Sequence, residues 1–198
     1  MILSKLYYLL IRYPLNKFKF GAFGYQSHIN NVLRIEEPQN IFVGKKVSVG
    51  KNAWLAANPL TGHQDCKLKI GDNTYIGNFA HIYCTRSIII ENSVLIADRV
   101  YISDNQHGFK DVNQPIIEQP IVQLNKVVIK EGSWIGENVC ISGASVGKNS
   151  IVGANSVVTK DIPDYCIAVG APAKIIKRYS FEKEAWLKTD DKGNFIEI

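Results

Sequence analysis

The stretch Ile70–Cys84, IGDNTYIGNFAHIYC, sets isoleucine at 70, 76 and 82, with glycine after the first two. Helices repeat every 3.6 residues and strands every 2, so a step of six belongs to neither. Followed outward, the step yields five sets of aliphatics: Val43, Val49, Leu55; Ile70, Ile76, Ile82; Ile90, Ile96, Ile102; Ile129, Ile135, Ile141; and Val146, Val152, Val158. Three hexads make one coil of a triangular solenoid, a repeat that takes precedence over local secondary structure. In the first two hexads of each coil the next residue is Gly in seven of ten cases. Four residues after the aliphatic stand Val47, Ala53, Thr74, Ala80, Val94, Val100, Ser133, Val139, Ser150 and Ser156, all small or β-branched. The pattern predicts an aliphatic interior and small residues at crowded corners. Gly, or Asn two positions later, is expected to take the bend angles. Each side is a short strand paired with the coils above and below at about 4.8 Å.

The third hexads break the rule. Their fifth positions are Pro59, Arg86, Gln106, Ser145 and Ile162, and the steps to the next coil are 15, 8, 27 and 5 residues. All insertions therefore fall on one edge of the prism, where a solenoid carries its binding loops.

Composition sets the bounds. The chain has 198 residues, 46% hydrophobic and 21% charged, as expected of one globular domain and not of a disordered chain. No apolar run reaches the roughly 20 residues that would span a bilayer, and LYYLLI lacks a signal-peptide layout, so a cytoplasmic home is expected. Cys66, Cys84, Cys140 and Cys166 show no zinc-type spacing and are expected to be reduced and packed. The net charge of +5 is uneven: Lys5, Arg12, Lys17, Lys19 and Arg34 precede the first acid, Glu36, and the remaining 18 basic residues balance 18 acidic ones. Such a segment attracts anionic surfaces. No nucleic-acid partner is expected.

The repeat resembles the left-handed parallel β-helix of hexapeptide-repeat acyltransferases across residues 40–175. This implies an all-β fold of about five coils, with a projecting loop at 107–126 on the uneven edge. Within that loop, YISDNQHGFKDVNQPIIEQP resembles the SDxxHG stretch of sugar and polysaccharide O-acetyltransferases, which implies His107 as general base. An imidazole, with an unperturbed pKa near 6.5, suits proton removal from a hydroxyl at neutral pH. Asp104 is a candidate orienter of His107; Asn105, Tyr83 and Arg86 are candidate acceptor contacts. Galactoside and maltose acetyltransferases align a sugar-contacting Asp to Thr85 and an Asn to Gly77, so those contacts do not transfer. His81, pointing outward, is expected at the surface.

A second stretch, WIGENVCISGASVGKNSIVGANSVVTKDIPDYCIAVGAPAKIIKR, resembles the carboxy-terminal coils of the acetyl-CoA-dependent branch. The resemblance implies acetyl-CoA as co-substrate in a groove between two prisms, and hence a homotrimer. Trp134 would border that groove, Ala154 would meet the co-substrate through its backbone, and Thr159 and Lys160 would lie near the adenosine end. Lys174 and Lys177 stand where galactoside enzymes carry arginine, which keeps the charge without the bidentate grip on phosphate. No metal is implied.

At the ends, Ile2, Leu3, Leu6, Leu9, Leu10 and Tyr13 share one helical face, and Pro14 is expected to end the run. Residues 1–39 are read as an amphipathic segment, a cap on the prism end or a membrane-surface helix within residues 1–20. Residues 176–198 are expected to form a short helix from about Ser180, with Trp186 packing back. With GAPAKIIKRYSFEKEAW, the tail is similar to lipopolysaccharide O-antigen O-acetyltransferases. The function implied is acetyl transfer to a sugar hydroxyl of a bacterial surface polysaccharide or its precursor, at the inner face of the membrane if the acceptor is lipid-linked. N-acetylation of an amino sugar or nucleotide-linked amino sugar is the alternative. A γ-carbonic-anhydrase-like zinc protein and a non-catalytic scaffold stand behind it.

Overall fold

Three parallel sheets form the faces of a triangular prism, a left-handed parallel β-helix. The computed structural model describes residues 7–29 and 31–196, Leu9 by its backbone alone. The hexad aliphatics stack in register: Val43, Ile70, Ile90 and Ile129 on the first face, Val49, Ile76, Ile96, Ile135 and Val152 on the second, and Leu55, Ile82, Ile102, Ile141 and Val158 on the third. None of the fifteen repeat aliphatics is more than 3% exposed. Burying each such side chain contributes about 1.5–3 kcal/mol relative to leaving it in water, and the stack forms one continuous core.

The corners explain the small residues. Asn52, Phe79, Arg99, Asn138 and Asn155, all with φ of 56–58°, turn one edge. Each is followed by a buried small residue: Ala53, Ala80, Val100, Val139 or Ser156. The repeat glycines have a different use from the one expected. They have no positive φ; instead, the next coil's backbone crosses them. A Cβ on Gly50 would lie 2.6 Å from the Asn78 amide nitrogen, and one on Gly136 would lie 2.7 Å from that of Ala154. Glycine here is a condition of stacking, and the bend is made two residues later.

The prism is longer than 40–175. Phe23, Ile29 and Ile35 also step by six and pair with Val43, Val49 and Leu55, so residues 22–36 form an additional first coil. At the other end the parallel stack closes within that range, where Ile162 bridges Val146 and Ala168 pairs with Val152. The carboxy-terminal helix is corrected to strands. After Gly170 the chain reverses, and Lys174–Ser180 pairs antiparallel with Cys166–Val169 and then with Ala185–Lys188. The open edge of the second face offers this segment a full set of backbone partners, which outweighs its modest helix propensity. Trp186 does pack back, against the ring of its cross-strand partner Tyr179 at 5.5 Å.

At the amino end a π-helix, Tyr8–Arg12, runs into an α-helix, Tyr13–Lys19. Pro14 does not end the run: the turn before it is π-helical, with the Tyr13 amide donating to the Tyr8 carbonyl five residues back, and this widened turn carries the chain past the proline. Tyr13 packs on Phe23 and the Tyr8 hydroxyl donates to the Ser27 carbonyl at 2.8 Å, so this segment does cover the prism end. The predicted apolar face is split, however: Leu10 is 67% exposed while Tyr13 faces the prism. Ile2, Leu3, Leu6 and the Leu9 side chain lie outside the described residues.

Gly50→Ala tests the stacking constraint. It is expected to lower unfolding stability by about 2 kcal/mol, read from the urea midpoint at unchanged m-value.

Candidate active site

The uneven edge joins the third face to the first. There the chain leaves strand Tyr101–Ser103 and forms an antiparallel ribbon, Asn105–His107 against Ile121–Gln123. His107 closes the outgoing strand opposite Ile121. Its side chain is exposed, and its ring makes no hydrogen bond to a described residue. Gly108 follows because the chain passes close to the returning strand: its amide donates to the Pro120 carbonyl at 2.9 Å, and a Cβ there would lie 2.7 Å from that oxygen. Of the HG pair, the histidine is left exposed and the glycine is required by packing. Beyond it the ribbon's tip exposes Phe109, Val112, Ile116 and Ile117.

Asp104, expected to orient His107, faces the other way. Its buried carboxylate accepts from the amides of Thr85 (2.7 Å), Arg86 (2.8 Å) and Ser87 (2.8 Å), the corner of the preceding coil. The Asn105 side-chain amide also reaches it, at 3.2 Å. Burial alone would raise the carboxyl's pKa; the hydrogen bonds from Thr85, Asn105, Ser87 and Arg86 together prevail and hold it below the ordinary value. Asp104 is a clasp between coils.

The three candidate acceptor contacts surround that clasp. Asn105 is 8% exposed, and its amide also donates to the Tyr83 carbonyl at 3.1 Å. Tyr83 stands edge-on to Trp54 and His81 at 5.9 Å each. Arg86 is half-buried, and its Nε has no described partner. Asn105 and the Arg86 amide are bonded into the ribbon's root, and the Tyr83 carbonyl accepts from Asn105 there. Sequence reading missed Gln123, which no repeat position marks. Its amide donates to the carbonyls of Asp104 (2.6 Å) and Leu124 (3.2 Å), and its Oε1 accepts from Thr61 in the first insertion at 2.7 Å. It ties both insertions together.

His81 is not a simple surface residue. It stacks on Trp54 at 4.2 Å and 9° and meets Tyr101 edge-on at 5.2 Å. Burial pushes its pKa down, with the Glu36 charge opposing. The four cysteines are free thiols. Cys66 and Cys84 lie 3.8 Å apart beneath the clasp, where the hydrogen bond to Cys66, burial and the Asp104 charge push the Cys84 thiol up. Among the described residues no three His, Cys, Asp or Glu side chains are grouped so as to hold a metal.

The candidate co-substrate residues fall on two sides of the prism. Trp134, 47% exposed, shares a row on the second face with Ile151, Ile167 and Lys177. Ala154 sits at the corner between the second and third faces, exposed, and Lys174 begins the added antiparallel strand. The Lys174 ammonium lies 3.3 Å from Asp191. Thr159 and Lys160, also exposed, follow the third face onto the edge that carries His107. Within one chain, then, Thr159 and Lys160 share an edge with His107, while Trp134 and Lys177 do not.

Comparison with known proteins agrees with the fold. Residues 126–160 match the bacterial transferase hexapeptide pattern (six repeats). A galactoside O-acetyltransferase of Lactococcus lactis is 34% identical over 152 residues, 76% of this chain and 70% of that protein. WbbJ of Escherichia coli K12, provisionally named a lipopolysaccharide biosynthesis O-acetyl transferase, is 37% identical over 124 residues, 59% of this chain and 63% of its own length. In the solved structure of AntD, an N-acyltransferase from Bacillus cereus, the likeness covers 87% of this chain and 90% of that one, at a TM-score of 0.72 and 22% identity. The chain belongs to the hexapeptide-repeat family of bacterial acetyltransferases.

Asp104→Asn tests the clasp. A carboxyl whose folded pKa is depressed contributes stability above its unfolded value of 3.8 and loses it as pH falls through the folded value. The variant is expected to lose about 2 kcal/mol at pH 7, with the gap to wild type narrowing in denaturation series carried below that value.

Proposed function

We propose that the protein transfers acetyl from acetyl-CoA to a hydroxyl of a surface-polysaccharide sugar or its lipid-linked precursor, on the cytoplasmic side of the membrane. The observation that carries this reading is His107: an exposed imidazole without a hydrogen-bond partner among the described residues, held on a ribbon rooted by Asp104, Asn105 and Gln123. A general base needs a fixed backbone and a free ring nitrogen, and this root provides the first without consuming the second. His107 takes the acceptor's proton as the oxygen attacks the thioester carbonyl. The carbon–oxygen bond forms, the carbon–sulfur bond breaks, and the imidazolium returns the proton to the departing thiolate. No covalent acyl-enzyme is required. The names of the galactoside and lipopolysaccharide relatives support a sugar acceptor.

Trp134, Ala154 and Lys177 fit one wall of a channel for acetyl-CoA, with Lys160 and Lys174 as further cations for its phosphates. That wall belongs to a different side of the prism from His107, so the reading requires a neighbouring chain, and we assign the working unit as a homotrimer. Two exposed apolar features support it: the ribbon tip, with Val112 92% and Ile117 87% exposed, and the row Tyr75, Leu95 and Trp134 on the second face. Both are covered if the ribbon of one prism rests against the next.

His107→Ala is expected to lower turnover at least about 100-fold with unchanged unfolding stability, measured by free-thiol release from acetyl-CoA against a panel of sugars that includes amino sugars. Wild-type turnover in the variant would remove the base assignment. Acetylation confined to amino sugars would reassign the acceptor atom to nitrogen.

A further inference from the structure

We infer that the amino-terminal helical segment docks on an anionic phospholipid surface, through the apolar residues it turns away from the prism. This inference goes beyond the acceptor assignment and holds equally for a soluble acceptor.

The helical segment turns two of its aromatic residues, Tyr8 and Tyr13, onto the prism. Tyr8 bonds to Ser27 and lies 4.4 Å from the His28 ring, and Tyr13 meets Phe23 and Tyr25. A segment that served only as a cap would not hold most of its described apolar side chains in water. Instead Tyr7, Leu10, Ile11, Leu15 and Phe18 are exposed, Leu10 by 67%, Leu15 by 63% and Phe18 by 95%. Their spacing of three or four residues puts them on one side of the segment. Five large apolar side chains held together in water by an ordered segment constitute a binding surface, not scattered exposure.

Charge selects the occupant. Arg12, Lys17 and Lys19 are exposed on the same segment, and no acidic residue occurs before Glu36. An apolar ridge with cations and no anions is suited to the headgroup–acyl boundary of an anionic leaflet, where the ridge enters and the cations remain at the phosphates. A second copy of the chain would bring the same cations against themselves, and this repulsion argues against self-association through the ridge. Among the described residues no helix is long and apolar enough to cross a membrane, so the contact is with the surface.

The test is co-sedimentation of the full chain with vesicles, in the absence of acetyl-CoA and acceptor. Vesicles of phosphatidylglycerol and phosphatidylcholine in equal parts are expected to retain the protein at least about tenfold more than phosphatidylcholine alone, with retention falling as salt is raised. Leu15→Ser/Phe18→Ser and Lys17→Gln/Lys19→Gln should each reduce that retention by at least about tenfold, with the molar mass in solution unchanged. Both lysines are exposed, so their pair keeps the test decisive if the serine pair folds poorly. Equal retention on both vesicle types, retention indifferent to the lysine pair, or a serine pair that alters molar mass would each overturn the inference. Because no acetyl transfer is measured, failure here leaves the His107 reading standing, and failure of that reading leaves this one.

Discussion

Close approach of successive coils at the corners is the constraint from which the rest of the structure follows. A coil can stack only if the backbone below passes where a Cβ would otherwise stand, and the repeat glycines and buried small residues permit that passage. Once the coils are stacked, every hexad aliphatic is sealed in one interior and the strands of each face pair with those of the adjoining coils. Asp and Asn side chains lock the corners from outside: Asp72, Asn78, Asn92 and Asp98 each accept from a backbone amide of the coil before. Asp104 makes the same bond at the uneven edge, where it is needed most.

That edge is where regularity is given up in exchange for a site. The ribbon bearing His107 leaves the prism directly after the clasp, so the geometry of the imidazole depends on a carboxylate, an amide and a glutamine, none of which points at it. Two of the prism's three edges can be built from repeats alone. The third depends on particular side chains, and changes there are expected to act through the position of His107 as much as through stability.

The core was legible because it obeys a period. The first coil was harder to see: Phe23 replaces the aliphatic, and the Ile29 corner lacks glycine, although Gly24 and the buried Ser27 follow the rule. The carboxy-terminal hairpin was misread because local propensity in FEKEAW says nothing about the open sheet edge beside it. Asp104 was assigned to a neighbour three residues away when its partners lie 17 to 19 residues back, one coil below. Gln123 carried no sequence signal, since its partners come from two insertions that follow no period. The hexads place His107 on the uneven edge, but the freedom of its ring could be seen only in three dimensions.

The central claim is that a single prism holds half a site. Chains carrying His107→Ala and chains carrying Trp134→Ala, each impaired at low acetyl-CoA concentration, can be unfolded together and reassembled in equal amounts. If His107 of one chain works against the second face of its neighbour, random assembly leaves about a quarter of the sites intact, and acetyl transfer should return to about that fraction of wild type. If both residues serve the same chain's site, the mixture will be no more active than its parts.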